Sequence, residues 1–205
     1  MKKPAPWVAD AHAHLLQDKK LGKIAEMHGP PSIHVERDLF ETLVYSVAGQ
    51  QLSGKAAQAI INKLESKIGS STPENLKCET QESLREVGLS NAKAGTILGL
   101  AHAFGNGLDD KALRKMPDEE VVETLTQFKG IGPWTAEMFL MFALGRPDVM
   151  SPGDLGLRKG LQIVYKRKEL PTIKEAGPLF ERWRPYRTAA SWYLWRAIEG
   201  PNENW

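Results

Sequence analysis

The 205-residue chain has a single cysteine, Cys78, so it can form no intramolecular disulfide and cannot supply the four thiolates of a cysteine-ligated iron–sulfur cluster. One lone thiol fits a reducing, intracellular compartment. Long hydrophobic runs are also missing. Nothing approaches the roughly 18 apolar residues of a membrane span, and Pro4, Pro6 and Asp10 interrupt the segment behind Lys2 and Lys3, so neither a membrane helix nor a signal segment is read. Charge of one sign is scarce. Lys and Arg number 27 against 25 Asp and Glu, a formal net charge of +2, which neither demands nor excludes a polyanionic ligand; any nucleic-acid footprint must be local. Repeats, low-complexity tracts, linkers and convincing strand pairs are absent, which argues against independent domains.

What is present is helical periodicity, broken at Gly, Pro and capping residues, in a chain whose 41% hydrophobic content can bury a full core. The expected fold class is all-α. Asp38 and Glu41 start a helix through Gly49, and Ser53 caps a second one carrying Ala56, Ala57, Ile60, Ile61 and Leu64, with Gln50-Gln51-Leu52 between them. Further helices are predicted near 15–28, 80–87, 90–104, 118–127, 134–144, 154–165 and 173–183. Pro185 suits a first helical turn and Gly200-Pro201 a stop, so Tyr186 to Glu199 should be one helix, carrying Trp192, Tyr193 and Trp195.

The most informative stretch is Leu125-Thr126-Gln127-Phe128-Lys129-Gly130-Ile131-Gly132-Pro133-Trp134-Thr135-Ala136. Two glycines around one apolar residue make a tight turn whose amides face outward, and the apolar run Trp134 to Leu144 behind it reads as a buried helix. A helix N-terminus behind such a turn is a ready phosphate cradle. Asp154 follows Pro152-Gly153 and precedes Leu155, Leu157, Leu161 and Val164, so it is placed to cap a helix, where a carboxylate is fixed in direction and favoured by the helix dipole. Capping is compatible with chemistry. A fixed anion can stabilise positive charge that develops in a reaction and position an attacking water.

Four blocks in order, the Gly49-Gln50-Gln51 loop, the hairpin with Trp134, the Pro152-Gly153-Asp154 loop and the Trp-rich C-terminal segment, resemble the helix-hairpin-helix DNA glycosylases, in particular the 3-methyladenine DNA glycosylase II family. The likeness runs from about Asp38 to Glu199. It implies a two-lobed glycosylase fold in a single domain 1–205, with lobes near 38–150 and 1–37 plus 151–205, the hairpin and Asp154 at the cleft between them, and none of the extra N-terminal β-containing domain of longer bacterial members. The implied activity is monofunctional excision of alkylated purines, of the 3-methyladenine and 7-methylguanine type, from double-stranded DNA by a monomer.

The resemblance assigns roles residue by residue. Asp154 is the catalytic carboxylate, with Asp148 the next nearest but on the approach to the loop. Trp134 and Trp195 wall the base pocket, where an indole face attracts a cationic alkylated purine by about 0.5–2 kcal/mol; core packing is the alternative for Trp134 at the head of a buried helix, and the default for Trp195, which shares a helix face with Trp192. Trp134 stands where bifunctional members carry a Schiff-base lysine, and Lys129 lies too early in the turn to replace it. DNA contacts fall to Gly130, Ile131, Gly132 and Thr135 of the hairpin, and to Gln51 or Leu52 as the wedge that fills the hole left by the flipped base. No cofactor is implied for catalysis; a structural Na+ or K+ is implied at the carbonyls of Thr126, Phe128 and Ile131 when DNA is bound. Arg158, Lys159, Lys166, Arg167 and Lys168 add positive charge that a solvated helix face explains as readily. Asp10-Ala11-His12-Ala13-His14 superficially matches a metal-hydrolase segment, but that fold needs a strand there and further ligands. A glycosylase for another damaged purine and a noncatalytic DNA-binding module stay open as alternatives.

Overall fold

The computed structural model describes residues 3–36 and 38–199. The predicted stop at Gly200-Pro201 lies outside them. The chain separates into two compact units, Met1–Val35 with Leu140–Trp205 and Glu36–Phe139. Both are helical, and among the described residues no helix is long and apolar enough to cross a membrane.

The first unit opens with a two-residue strand β1 (Lys3–Pro4), then α1 (Val8–Leu15), α2 (Leu21–His28) and β2 (His34–Val35), which pairs antiparallel with β1. This small ladder was not legible in the sequence. Neither was the split of the single helix expected over 15–28. The break has a cause in Asp18, whose carboxylate accepts the amides of Lys20 and Leu21, both at 2.9 Å, and so competes with helix continuation. Gly22 then passes so close to Leu16 that a Cβ there would lie 2.6 Å from its carbonyl oxygen. His12 and His14 lie on α1, not on a strand: His12 shares a 2.8 Å hydrogen bond with the buried Tyr193 hydroxyl, and His14 packs edge-on to Tyr186. The metal-hydrolase match is therefore a coincidence of helix packing.

The second unit contains α3 (Leu39–Gly49), α4 (Gly54–Ile68), α5 (Pro73–Lys77), α6 (Gln81–Glu86), α7 (Asn91–Phe104), α8 (Asp110–Lys115), α9 (Asp118–Thr126) and the start of α10 (Pro133–Phe142), whose last residues are grouped with the first unit. Asp38 and Ser53 cap α3 and α4 as expected, each accepting the amide three residues on. The short α5, capped by Thr72 with Pro73 at its first turn, has too few residues to show a period. At the centre is α7, packed against α3, α5 and α6 with Ala94, Thr96, Ile97, Leu100 and Ala101 buried.

The first unit is completed by α11 (Leu155–Val164), α12 (Ile173–Phe180) with a 3-10 turn over Glu181–Trp183, and α13 (Arg187–Glu199). The helix expected over 173–183 thus tightens in its last turn, and the final helix begins one residue later than Tyr186. Packed against α11, α1 and α2, α13 contributes the fully buried Tyr193 and Leu194 to a core with Leu15, Leu157 and Phe180. Each such side chain contributes about 1.5–3 kcal/mol of burial. Two glycines of α11 face α13: a Cβ on Gly156 would lie 3.0 Å from the Trp195 ring, and one on Gly160 would overlap the Leu194 backbone carbonyl.

Asp18 also accepts the Trp183 indole at 3.0 Å and the Tyr165 hydroxyl at 3.3 Å. Burial alone would raise its pKa, but the two amides, the indole and the phenol together hold it below the usual carboxylate range. A depressed native pKa contributes stability that is complete above the unfolded value of about 3.9 and is lost as pH falls through the native value. The stability difference between wild type and Asp18→Asn should accordingly be constant from neutral pH down to about pH 5 and shrink below pH 4. Urea titrations at stepped pH would show it; a difference independent of pH would mean that the hydrogen bonds act without the charge.

Candidate active site and nucleic-acid interface

In the second unit the Gly130-Ile131-Gly132 turn is held from inside. Ile131 is buried, its amide donates to the Phe128 carbonyl at 2.9 Å, and Ala136 N donates to Gly132 O at 3.1 Å to start α10. Gly130 adopts φ +98°, a conformation open to glycine, and a Cβ there would also press to 3.0 Å from Thr96 Oγ1. Gly132 differs. A Cβ on it would meet nothing within 4 Å, so what its bare backbone preserves is an open approach of the kind a phosphate needs.

The Gln50-Gln51-Leu52 loop lies beside this turn. The Gln50 side-chain amide donates to Gly130 O at 3.1 Å, and Gln51 takes φ +60°, rare for a residue with a side chain. Gln51 and Leu52 are both exposed, Leu52 at 39%. A groove of about 540 Å³ is lined by Ser46, Gly49, Gln50 and Gln51 on one side and by Gly130, Trp134, Thr135 and Met138 on the other. Trp134 is 52% exposed, so core packing does not account for it. Of the predicted residues, the structure gathers Gln51, Gly130, Trp134 and Thr135 around this groove; Ile131 supports the turn from beneath, and Leu52 and Gly132 are not part of the lining. Thr126 ends α9, where helix carbonyls lack intrahelical partners, and Phe128 O accepts one amide.

In the first unit Asp154 caps α11, its Oδ1 accepting Leu157 N at 2.7 Å. Trp195 Nε1 donates to that same oxygen at 3.2 Å, and its ring packs against Phe142 with centroids 5.8 Å apart. The two residues named for chemistry and for a pocket wall are thus brought into direct contact. Asp148 is committed elsewhere: Arg187 Nε donates to it at 2.7 Å, Arg184 Nη1 at 2.6 Å, and both arginines also bind Glu181. The buried Thr188 hydroxyl donates to Arg146 O at 2.6 Å and accepts Val149 N at 3.0 Å. Arg187 and Thr188 tie the start of the loop to α13, and Trp195 two turns further along the same helix meets its end.

Residues 44–185 match the family described as HhH-GPD superfamily base excision DNA repair protein. The chain belongs to that superfamily. Among relatives in the HhH-GPD superfamily, DNA-3-methyladenine glycosylase 1 of Schizosaccharomyces pombe is 37% identical over 183 residues, 87% of this chain and 80% of that protein. A crystal structure of DNA-3-methyladenine glycosidase from Bacillus halodurans superposes with a TM-score of 0.82 at 38% identity, covering 96% of this chain and 91% of that one. The Schizosaccharomyces pombe 3-methyladenine DNA glycosylase solved in complex with abasic DNA gives 0.80 at 33% identity, covering 95% and 100%.

Several residues that shape this HhH-GPD site escaped the sequence reading. Lys93 and Thr96 sit on α7, far along the chain from both loops they touch, and nothing in Asn91-Ala92-Lys93 distinguishes that lysine from a solvated one. Arg187 and Thr188 open an ordinary helix. The only available signal was the clustering of Glu181, Arg184 and Arg187 with Asp148, which reads as surface charge until the fold pairs them.

Proposed function

We infer that this chain is a monofunctional DNA glycosylase that hydrolyses the N-glycosidic bond of alkylated purines, of the 3-methyladenine and 7-methylguanine type, in double-stranded DNA. The observation that carries this reading is the Asp154–Trp195 contact, a carboxylate fixed by a helix amide and an indole N–H rather than solvated at random. A protein that only gripped phosphate would gain nothing from an anion there.

The chemistry follows from the charge on the lesion. Alkylation at purine N3 or N7 makes the base cationic, so the bond from its nitrogen to C1′ breaks with the electron pair leaving on the base, which departs neutral. Positive charge then moves to the sugar, where Asp154 stabilises it; water oxygen bonds to C1′, and the water proton passes to Asp154 or to solvent. No strong general acid is required. Trp134 and Trp195 supply electron-rich faces for the cationic ring. An indole at position 134 cannot attack as an amine, so the product is an abasic site in an uncut strand. The hairpin amides hold the backbone, Gln51 with Leu52 fills the vacated stack, and a Na+ or K+ at the carbonyls of Thr126, Phe128 and Ile131 would place positive charge against a phosphate; Thr126 closes α9, Phe128 O accepts one amide through one of its two lone pairs, and carbonyl oxygens are the donor type a hard cation takes. The protein acts as a monomer, inside the cell where the DNA is.

The test is release of free 3-methyladenine and 7-methylguanine from methylated duplex, with strand integrity followed on the same samples. Free base with intact strands until alkali is added is the expected result. Strand cutting without alkali would overturn the monofunctional reading, and binding without release would leave another damaged purine or a noncatalytic module.

A further inference from the structure

We propose that Lys93 is a positioning residue for base flipping: its ammonium clamps the C-terminal end of α3 so that Gln51 is held, stiff and outward, as the wedge. This rests on the glycosylase reading above. The Lys93 Nζ donates to the carbonyl of Ala48 at 2.9 Å and to that of Gln50 at 2.6 Å. Both belong to the end of α3, where carbonyls have no intrahelical amide left to accept; Val47 O takes Gln50 N, Gly49 O takes Leu52 N, and Lys93 takes Ala48 O and Gln50 O. The residue between the clamped Gln50 and the bonded Leu52 is Gln51, at φ +60°. A non-glycine residue holds that conformation only where its surroundings fix it, and here they fix it from both sides.

The clamp is wired to the phosphate cradle. One turn beyond Lys93 on α7, the Thr96 hydroxyl donates to the Lys129 carbonyl at the mouth of the hairpin, and the Gln50 side chain reaches from the clamped loop to Gly130 O. One buried helix thus sets wedge and cradle in register. Partial burial of Lys93 lowers its pKa, consistent with an ammonium seated among carbonyls rather than extended into water. A wedge on a loose loop would lose its advantage, because the energy of displacing a paired base must come from a side chain that does not retreat.

Substrate choice separates such a positioning role from a merely structural one. Lys93→Met is compared with wild type on 7-methylguanine paired with cytosine in a duplex and on the same lesion in an unpaired bubble, each alone and in a Gln51→Ala background. Excision from the paired site should fall about tenfold or more, and from the bubble by less than about twofold, because there the stacking cost is already gone. In the Gln51→Ala background Lys93→Met should cost little more, since both act through one step. Equal losses on both substrates, or additive losses with Gln51→Ala, would overturn the proposal, as would an unchanged paired rate. If Lys93→Met does not fold, Lys93→Gln, which keeps a donor for one carbonyl, carries the same comparison. Wild-type failure to release base from either substrate would instead overturn the reading of alkylated purines as the substrate.

Discussion

Asp154→Asn should excise methylated purines about 10²–10³-fold more slowly than the wild type, the usual scale for removing one preorganised electrostatic stabiliser, while unfolding at the same temperature. The unchanged unfolding temperature follows from the cap. Asn and Asp are near-equivalent N-caps, and Oδ1 accepts both Leu157 N and Trp195 Nε1. An asparagine amide oxygen can accept the same two donors. Those two contacts are thereby kept while the charge is removed. Binding to duplex should be unchanged or tighter, because an anion near phosphates is gone. Asp154→Ala would confuse the two effects by also removing a cap worth about 1 kcal/mol. Single-turnover base release, a melting curve and fluorescence anisotropy on one preparation of Asp154→Asn decide the matter. Wild-type rates in the variant would remove the carboxylate from the mechanism, and a fall in Tm matching the fall in rate would reassign it to the fold.

Gly160→Ala should lower stability by about 1–3 kcal/mol, an overpacking penalty in a core that cannot yield. The sign is the informative part. In an exposed helix interior the same change stabilises by about 0.5–1 kcal/mol, so propensity alone predicts the opposite. At Gly160 the new methyl would collide with the Leu194 carbonyl and sit 2.8 Å from its Cβ, and backbone on the neighbouring helix cannot swing aside as a side chain would. At about 2–4 °C per kcal/mol for a chain of this size, Tm should drop by several degrees. Gly156→Ala makes a useful contrast: its Cβ would meet Asp154 Oδ1 and the Trp195 ring at 3.0 Å, so it should disturb excision more than stability. A Gly160→Ala protein with raised Tm would mean that α11 and α13 separate more easily than their packing implies.

How much could be read without the structure differs by the range of the interaction involved. Asp38, Ser53 and Asp154 cap helices three residues away, and each was legible because partner and cap share a few consecutive positions. The glycine turn and the apolar α10 behind it were legible for the same reason. Asp18 was not, since its partners come from three segments, Lys20 and Leu21 close by, and Tyr165 and Trp183 from two elements much further along the chain. The β1–β2 ladder failed for want of length, two residues being too few to alternate. In the site, residue types with a chemical signature could be named from the sequence: a carboxylate behind Pro-Gly, an indole where an amine would stand. The residues that aim them could not, because Lys93 on two carbonyls and Thr188 on two backbone groups have meaning only once α7 and α13 are in place.

The anchoring of the Asp154 loop to a single helix carries a consequence for its history. From Arg187 to Trp195 is eight residues, about 12 Å at 1.5 Å rise per residue, and this rod fixes both landing points of the bridge that leads from Asp148 to Asp154. Change within the span can bow outward without moving either abutment, whereas a one-residue insertion in the rod would turn Trp195 through about 100° and leave the carboxylate without its indole. Substitution and length variation are therefore expected to accumulate in the bridge, and the register of the helix to be the part that drift cannot touch.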